Sequence, residues 1–456
     1  MSVALSASLL LLHFASSPVP LTDVKFPTCA GHAEPLQCSV PSVMQAAVFS
    51  SGRFTMATRS TPRPRARQLL VRVEAAAVNR IDAMMAQGKL GKVDIVGLDI
   101  SGIVVARGDS CTSNISVGDR VLGLISEGGY ASYALVDERD VLARPARLSA
   151  VEAAAVPEVW MTAWQLLFDV GKARAGDRVL IHAAGSGVGL AAVQLAATHG
   201  LHVVAAASTD VKLKLARQLG AIVGFNWKAA LGLERNNDAN DNSSGHTLHL
   251  AASRRQPFEG STKFRRAIYA ASNEHVNSSN VSPNVLCRSR APTSTHPGGV
   301  GHCPKHELGI DLVLDCVGGG AHGQQHLDLL DIDGRWVLFG LLGGSDPPPA
   351  LFGALLRKRI QLLSSTLRSR AASYKRRLLG VLSKQILPFL RAEVPRNDTQ
   401  CARTQDTKDL RIIIDSTFPL SEAQGAHDRM LANTNVGKIV LQDDIGQDFT
   451  CFCPNL

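Results

Sequence analysis

The sequence predicts an α/β protein with a doubly wound parallel sheet and a second, β-rich unit. Short strands separated by Gly, Asp and Ser fill residues 69–150. From residue 150 onward, apolar strands alternate with helix-length segments, which is typical of a parallel sheet with right-handed crossovers. A glycine-rich turn also joins one apolar strand to an amphipathic helix.

The β-rich unit is predicted from four short apolar or alternating runs. These runs are Leu69–Val73, Ile100–Ala106, Asp119–Leu124 and Tyr130–Val136. The period then changes, because residues 150–170 carry apolar side chains at helical spacing. The sequence that resembles a folded N-terminus begins at Met44.

The parallel sheet is predicted from six apolar runs with helices between most of them. They lie near residues 179–183, 203–207, 222–225, 310–315, 335–340 and 359–365. Between the third and fourth runs lies a long polar tract rich in Asn, Ser, Arg and His. A compact domain rarely holds so long a loop, so residues 229–308 are predicted to be a disordered insertion. A regulatory or partner-binding loop is the alternative.

The glycine-rich turn follows the apolar strand Val179–Ile181 and precedes the helical run Leu190–Ala196. This arrangement holds a pyrophosphate on backbone N–H groups at a helix N-terminus, so the turn predicts a dinucleotide. An ordinary strand-to-helix turn is the alternative. The predicted pyrophosphate-binding residues are Gly185, Ser186, Gly187, Val188 and Gly189.

The end of the next strand indicates which dinucleotide is bound. NAD sites usually place an acidic residue there to hold the ribose 2′-hydroxyl. This chain has Ser208 and Thr209, followed by Lys212, and these side chains suit the 2′-phosphate of NADPH. Asp210 is interpreted as a helix N-terminal residue. The alternative is that the hydroxyls only cap the helix and the lysine is solvated.

Composition excludes several classes of protein. The 456 residues carry a net charge of +9 and are 45% hydrophobic, which fits a globular protein with a substantial core. The basic residues are scattered, so a solvated surface is favoured over a nucleic-acid site. Nine dispersed cysteines indicate neither a disulfide framework nor a zinc site, and no apolar run is long enough to span a membrane.

The two ends of the chain are predicted to lie outside the folded unit. Residues 1–43 contain a single basic residue, Lys25, and are interpreted as a disordered or non-native extension. A cryptic organellar or secretory targeting signal is the alternative, and a cytoplasmic location is expected. Residues 443–456 are predicted to be a tail.

Six strings together resemble the medium-chain dehydrogenase/reductase superfamily. They are most similar to its zinc-free quinone oxidoreductase (zeta-crystallin-like) branch, and within it to the tumour-suppressor-inducible NADPH quinone oxidoreductases. The strings are Ala75–Asp82, Pro157–Ala163, Asp315–Gly319, Gly334–Gly340, Leu367–Arg370 and Asn435–Leu441.

The resemblance implies a GroES-like catalytic domain over residues 44–152, completed by 371–442, and a Rossmann domain over 153–370. It also implies a homodimer, with the run at 359–365 as the candidate sheet edge. Zinc alcohol dehydrogenases of the superfamily place a Cys where this chain has Asn79, and a His–Glu pair where it has Leu98–Asp99. They also carry four closely spaced structural cysteines, which this sequence lacks. We therefore expect no metal site.

The resemblance also implies roles for individual residues. Asn79, Asp82 and Thr162 are expected at the nicotinamide and substrate end of the cleft, although Asn79 also suits a helix N-cap. Further cofactor contacts are expected where strands end, with core packing as the alternative for the apolar positions and for Trp227. These contacts are Asn226, Trp227, Val317, Gly318, Phe339, Gly340, Leu341, Leu363 and, from the closing segment, Lys438.

The expected function is transfer of reducing equivalents from NADPH to a quinone or a similar electron-poor acceptor, without zinc. An enone or enoyl reductase and a non-catalytic nucleotide- or RNA-binding protein are the alternatives. Relatives often have a Tyr by the substrate where this chain has Leu90, so a phenolic proton donor is absent at that position. The sequence identifies no other general acid.

Overall fold

The computed structural model describes residues 40–91, 93–230, 309–391 and 409–443. The predicted extension at 1–43, the insertion at 229–308 and the tail at 443–456 lie almost entirely outside the described residues. Within the described part, no helix is long and apolar enough to cross a membrane.

The β-rich part begins with a hairpin that the sequence did not predict. Strands β1 (Val43–Ser50) and β2 (Arg53–Ser60) pair antiparallel along eight residues. Ser51 and Gly52 join them, both with positive φ, which is the backbone of a tight hairpin turn. Only one face of β2 packs inward, so its sequence carries too few apolar residues to predict a strand.

The β-rich sheet proper has seven strands, and the chain returns to it at its end. The strands are β3 (Gln68–Val78), β4 (Asp99–Arg107), β5 (Arg120–Leu124), β6 (Tyr133–Asp137), β7 (Val141–Ala143), β16 (Ile414–Pro419) and β17 (Lys438–Gln442). Their order is β16-β17-β3-β4-β5-β7, with β6 paired to β3. Because β17 runs antiparallel to the end of β3, the closing segment lies directly beside Val78 and Asn79.

The second large sheet is parallel and confirms the predicted doubly wound fold. Its six strands are β8 (Arg178–Ile181), β9 (His202–Ala207), β10 (Val223–Asn226), β11 (Ile310–Asp315), β12 (Leu330–Leu338) and β13 (Gln361–Ser364). Their order is β10-β9-β8-β11-β12-β13, so the winding direction reverses between β8 and β11. In such sheets the ligand lies beyond the carboxyl ends of the strands at this switch point.

Helices cover both sheets. They are α1 (Arg80–Ala86), α2 (Ala150–Ala154), α3 (Pro157–Trp164), α4 (Gly187–Thr198), α5 (Asp210–Gln218), α6 (Trp227–Ala230), α7 (Gly320–Leu329), α8 (Leu351–Lys358), α9 (Ala372–Val381) and α10 (Ala423–Leu431). π-Helical turns extend α3 over Gln165–Val170 and α9 over Leu382–Ile386. The short strands β14 (Leu390–Arg391) and β15 (Leu410–Arg411) pair with each other.

The core explains why these residues form these elements. Every residue of β8 and of β11 is buried, which is the pattern of parallel strands covered on both faces. Small side chains on α4, such as Ala191 and Ala192, let that helix pack closely on α3 and the sheet.

The residue limits that the sequence analysis gives for the two domains remain predictions.

Candidate active site

The glycine turn has the geometry of an anion-binding helix N-terminus. Ser186 is the N-cap of α4, and its hydroxyl accepts a hydrogen bond from the Gly189 N–H at 3.0 Å. A Cβ on Gly189 would lie 2.3 Å from the Ala183 carbonyl oxygen, so no other residue fits there. Val188 lies in the first turn of the helix, where backbone N–H groups and the helix dipole favour a phosphate.

The closing segment packs directly on this turn. The Gly437 N–H donates to the Gly185 carbonyl oxygen at 2.9 Å. A Cβ on Gly187 would lie 2.8 Å from Cδ of Lys438, so the lysine stem crosses the turn where the sequence has glycine. The predicted cofactor residue Lys438 is therefore adjacent to the turn, although 249 residues separate it from Gly189 in the chain.

The Lys438 ammonium is buried in a polar cluster. It donates to Asn79 Oδ1 at 2.6 Å and to the Val78 carbonyl oxygen at 3.1 Å, and it lies 3.4 Å from Asp99 Oδ2. Asn79 Nδ2 donates to the same Asp99 oxygen at 2.9 Å. Asn79 is indeed the N-cap of α1, but its side chain links the lysine to the aspartate.

The first turn of α3 contributes the next members of the cluster. The Glu158 N–H donates to Asp99 Oδ1 at 2.8 Å. The Thr162 hydroxyl, one turn along, donates to Glu158 Oε1 at 3.1 Å. Asn79 and Thr162 were expected at the nicotinamide end, and Lys438 was expected to contact the cofactor. Asp99 and Glu158 join these three residues.

Asp82 lies on the other side of Asn79. Its Oδ2 accepts from the Asn79 N–H at 2.8 Å and from the Tyr130 hydroxyl at 3.2 Å. The Tyr130 hydroxyl also lies 3.2 Å from Nε2 of His427, a residue of α10. The side chains of Asp82, Tyr130 and His427 are all buried. Asp82 was expected at the substrate end of the cleft, but it lies on the buried side of the cluster.

Burial and the crowding of carboxyl groups raise several pKa values. The pKa of Glu158 rises to about 7 through burial and the nearby Asp99 charge, against the opposing effect of Lys438. Burial also raises the pKa of Asp82 to about 7, and raises that of Asp99. One ammonium therefore faces three carboxyl groups that cannot all be charged at neutral pH.

The predicted adenosine-phosphate residues lie at the ends of β9 and β10. Thr209 is the N-cap of α5, and its hydroxyl accepts a hydrogen bond from the Lys212 N–H at 3.5 Å. This is the helix-capping role that the sequence offered as the alternative. The Lys212 stem packs against Gly185, and its ammonium donates to the Asn433 carbonyl oxygen at 2.6 Å. Ser208 precedes Thr209 and is half-buried.

Asn226 and Trp227 form the junction between β10 and α6. Asn226 Nδ2 donates to Asp210 Oδ1 at 3.2 Å, so the ends of the second and third strands are tied together. The Trp227 ring stacks edge-on against His322, with 5.9 Å between ring centroids.

The remaining predicted contacts lie beyond β11 and β12. Val317 and Gly318 donate their N–H groups to Asp315 Oδ1, at 2.7 and 3.1 Å. The Phe339 N–H donates to the Asp315 carbonyl oxygen at 2.8 Å, and Gly340 packs on Cys316.

Asp315 therefore orders two adjacent loops at the switch point. Leu341, in the second loop, is exposed, and Leu363 lies in β13.

A buried histidine pair lies beneath these loops. Nε2 of His182, which follows β8, lies 2.8 Å from Nε2 of His326 on α7. His326 Nδ1 lies 3.3 Å from Asp315 Oδ2. Burial lowers the pKa of His182 to about 3, so its ring is neutral at neutral pH. The pair connects the glycine turn to the loop after β11.

An open cavity of about 730 Å³ extends from α3 to α9 along the β-rich sheet. Its wall includes Met161, the neighbour of Thr162 in α3. Both apolar and polar residues line it, and they include Ile95, Ile125, Ser126, Tyr133 and Lys375.

Three family models match the chain. A model described as alcohol dehydrogenase GroES-like domain matches residues 65–146, and two described as zinc-binding dehydrogenase match residues 187–241 and 301–441. The chain belongs to the medium-chain dehydrogenase/reductase superfamily. The resemblance drawn from the six sequence strings is thereby confirmed.

Individual members of the superfamily extend the comparison. Quinone oxidoreductase of Mus musculus is 36% identical over 174 residues, which are 37% of this chain and 52% of that protein. The chain thus spans about half the length of the curated relatives it matches.

Two solved structures share the fold. A mycobacterial protein complexed with NADPH has a TM-score of 0.60 at 22% identity, over 88% of this chain and 99% of that one. The CurK enoyl reductase has a TM-score of 0.61 at 21% identity, over 88% and 100%.

Several members of the site were not predicted from the sequence. Glu158 and Asp315 lie inside strings that carried the family resemblance, but no role was assigned to them. Tyr130 and His427 lie 297 residues apart, and only the fold brings them together. A signal for Glu158 did exist, since a Glu directly after a helix-starting Pro lies one turn before Thr162.

We predict that Lys438→Met lowers the free energy of unfolding by about 3–5 kcal/mol, the usual cost of removing one partner from a buried ion pair. The substitution keeps the stem over Gly187 and removes only the charge, so the buried Asp99 carboxylate loses its counter-ion. Urea denaturation monitored by circular dichroism measures the change.

The double variant Lys438→Met/Asp99→Asn is the control. It removes both charges and is expected to recover a large part of the lost stability, since no unpaired ion remains. If the double variant loses as much stability as the two single variants together, the two charges are not coupled.

Proposed function

We propose that the protein is a zinc-free, NADPH-dependent quinone oxidoreductase. The observation that carries this proposal is the cluster around Lys438, which joins the glycine turn of the dinucleotide fold to Asn79 and Thr162. The similarity to curated quinone oxidoreductases supports the acceptor class. A cytoplasmic location is part of the proposal.

The donor set fits a phosphorylated dinucleotide. The N-terminus of α4, which starts at Gly187 after the N-cap Ser186, offers backbone N–H groups to the pyrophosphate. The Lys212 ammonium is held beyond the end of β9 and retains donors for the 2′-phosphate. When bound, this cofactor supplies a hydride.

The same cluster does not suit zinc. The Lys438 ammonium contacts both Asn79 and Asp99. The zinc-dependent relatives have metal-binding residues at these two positions. A divalent cation there would be repelled by the ammonium, and the available donors are oxygen atoms rather than thiolate or imidazole. We therefore propose that the acceptor must already be electron-poor.

The acceptor is proposed to occupy the cavity beside α3. Met161, Ile95 and Ile125 offer apolar surface to a ring, and polar residues such as Ser126 also line the cavity. An enone or enoyl acceptor is the second candidate, favoured by the similarity of the fold to the CurK enoyl reductase.

We predict that the purified protein oxidises NADPH in the presence of a quinone, and does so faster than with an enone or with no acceptor. The change in NADPH absorbance measures the rate. Tight NADPH binding without turnover would favour a non-catalytic nucleotide-binding protein. Faster turnover of the enone would favour the enone or enoyl reductase.

Cofactor choice is tested with Lys212→Met, which keeps the stem against Gly185 and removes the ammonium. We expect its preference for NADPH over NADH to fall by roughly 10- to 100-fold, the value of a charge-assisted hydrogen bond. Lys214→Met on the same helix is the matched control, because Lys214 is exposed. A wild-type preference for NADH would contradict the assignment.

We also propose a homodimer formed at the β13 edge. Within the described part of the chain, β13 ends the order of the parallel sheet and pairs only with β12. The adjacent helix α8 exposes 79% of Phe352 and 81% of Leu356, and Leu362 of β13 is also exposed. An open edge beside exposed apolar residues suits a second copy of the chain.

We predict that Phe352→Glu/Leu356→Glu converts the dimer to a monomer, because it places charges in a desolvated contact. Sedimentation velocity measures the mass. Val211→Glu, at an exposed apolar position on α5, is the control and is expected to remain dimeric. A monomeric wild-type protein would contradict this part of the proposal.

A further inference from the structure

The hydrogen-bonded pair Glu158–Thr162 has no evident role in holding the fold together. Both residues lie in α3, and the Thr162 hydroxyl contacts Glu158 Oε1 at 3.1 Å. The Glu158 backbone is fixed by Asp99, which anchors the start of the helix. Glu158 as a residue is half-buried, so it is not sealed from solvent as Asp82 is.

The proposed reaction, on which this inference rests, needs a proton source. A quinone that accepts a hydride becomes a hydroquinone monoanion and requires one proton to complete the reduction. The tyrosine that relatives place by the substrate is replaced by Leu90. Thr162, which the resemblance assigns to the nicotinamide end of the cleft, has a hydroxyl but cannot supply a net proton by itself.

We propose that Glu158 is the proton source for the reduced acceptor and that the Thr162 hydroxyl passes the proton on. With Glu158 protonated, the hydrogen bond between them reverses, and the carboxyl O–H donates to Thr162 Oγ1. The Thr162 hydrogen then moves to the acceptor oxygen while the Glu158 proton moves to Oγ1. The products are a neutral hydroquinone and a Glu158 carboxylate, which regains its proton from solvent.

The groups around Glu158 set its pKa. The Asp99 carboxylate on β4 disfavours a second negative charge, and the Lys438 ammonium on β17 favours it. The Thr162 hydroxyl, on its own helix, stabilises the carboxylate. Burial outweighs these favourable contacts and raises the pKa of Glu158 to about 7, where a group can both give and regain a proton.

Asp82 is a poorer candidate, although burial raises its pKa similarly. Its carboxyl is fully buried and accepts hydrogen bonds from the Asn79 N–H and the Tyr130 hydroxyl. It therefore has no exposed surface through which to regain a proton.

The pH dependence of kcat is the first part of the test. Because the protonated form is the donor, kcat of the wild-type protein with a quinone is expected to fall as the pH rises above about 7. Glu158→Gln is expected to lower kcat by about 100-fold and to abolish this pH dependence. Its Kd for NADPH, measured by fluorescence, is expected to stay unchanged. Glu158→Asp is expected to recover part of the rate.

Variants of Thr162 separate relay from structure. Thr162→Val is expected to lower kcat to a similar extent, and Thr162→Ser to preserve it. Glu422→Gln, an exposed position at the start of α10, is the control for loss of a carboxylate elsewhere.

A readout without cofactor completes the test. Carbon-13 NMR of protein labelled at glutamate carboxyl groups is expected to show one resonance that titrates near pH 7. It should vanish in Glu158→Gln and persist in Glu422→Gln and Thr162→Val.

The outcomes distinguish two kinds of failure. An active Glu158→Gln that keeps the wild-type pH dependence would overturn this inference and leave the proposed function standing. A wild-type protein that binds NADPH and turns over no acceptor would overturn the proposed function and this inference with it.

Discussion

The burial of the Lys438 ammonium is the constraint on which the rest of the site depends. A buried ammonium must be satisfied by acceptors, and here they come from the end of β3, from Asn79 and from Asp99 on β4. The lysine stem meanwhile fills the space above Gly187. One side chain therefore fixes the dinucleotide turn relative to the β-rich sheet.

The same charge organises the chemistry around it. Asp99 is held as the partner of Lys438, and it in turn anchors the first turn of α3 through the Glu158 N–H. Glu158 then lies beside both members of this ion pair, whose charges shift its pKa in opposite directions, and burial is the largest cause of its raised pKa. A site built in this way offers orientation and a titratable carboxyl group, which suits reduction of an acceptor that needs little polarisation.

The sequence predicted those features that depend on short separations. Apolar runs predicted all six parallel strands. The glycine-rich turn indicated a helix directly after it, but α4 begins at Gly187, three residues before the predicted helical run at Leu190. Thr209 as a helix cap was also accessible, since capping depends on neighbours three residues away. The β1–β2 hairpin was missed because its exposed strand lacks apolar periodicity.

The contacts within the site could not be predicted in the same way. Lys438 and Asn79 lie 359 residues apart, and His182 and His326 lie 144 apart, so no local pattern pairs them. Glu158 has ordinary helical surroundings in the sequence, and its raised pKa arises only from burial and the approach of Asp99. Resemblance placed Asn79 and Lys438 near the cofactor, but it did not indicate that they contact each other.

A crystal structure of the protein with NADP⁺ bound is the decisive experiment. We expect the pyrophosphate on the backbone N–H groups at the start of α4. We also expect the nicotinamide ring beside Thr162, with the Lys438–Asn79–Asp99 contacts retained. A nicotinamide directed away from Thr162, or a pyrophosphate bound elsewhere than at Gly187–Gly189, would contradict these expectations.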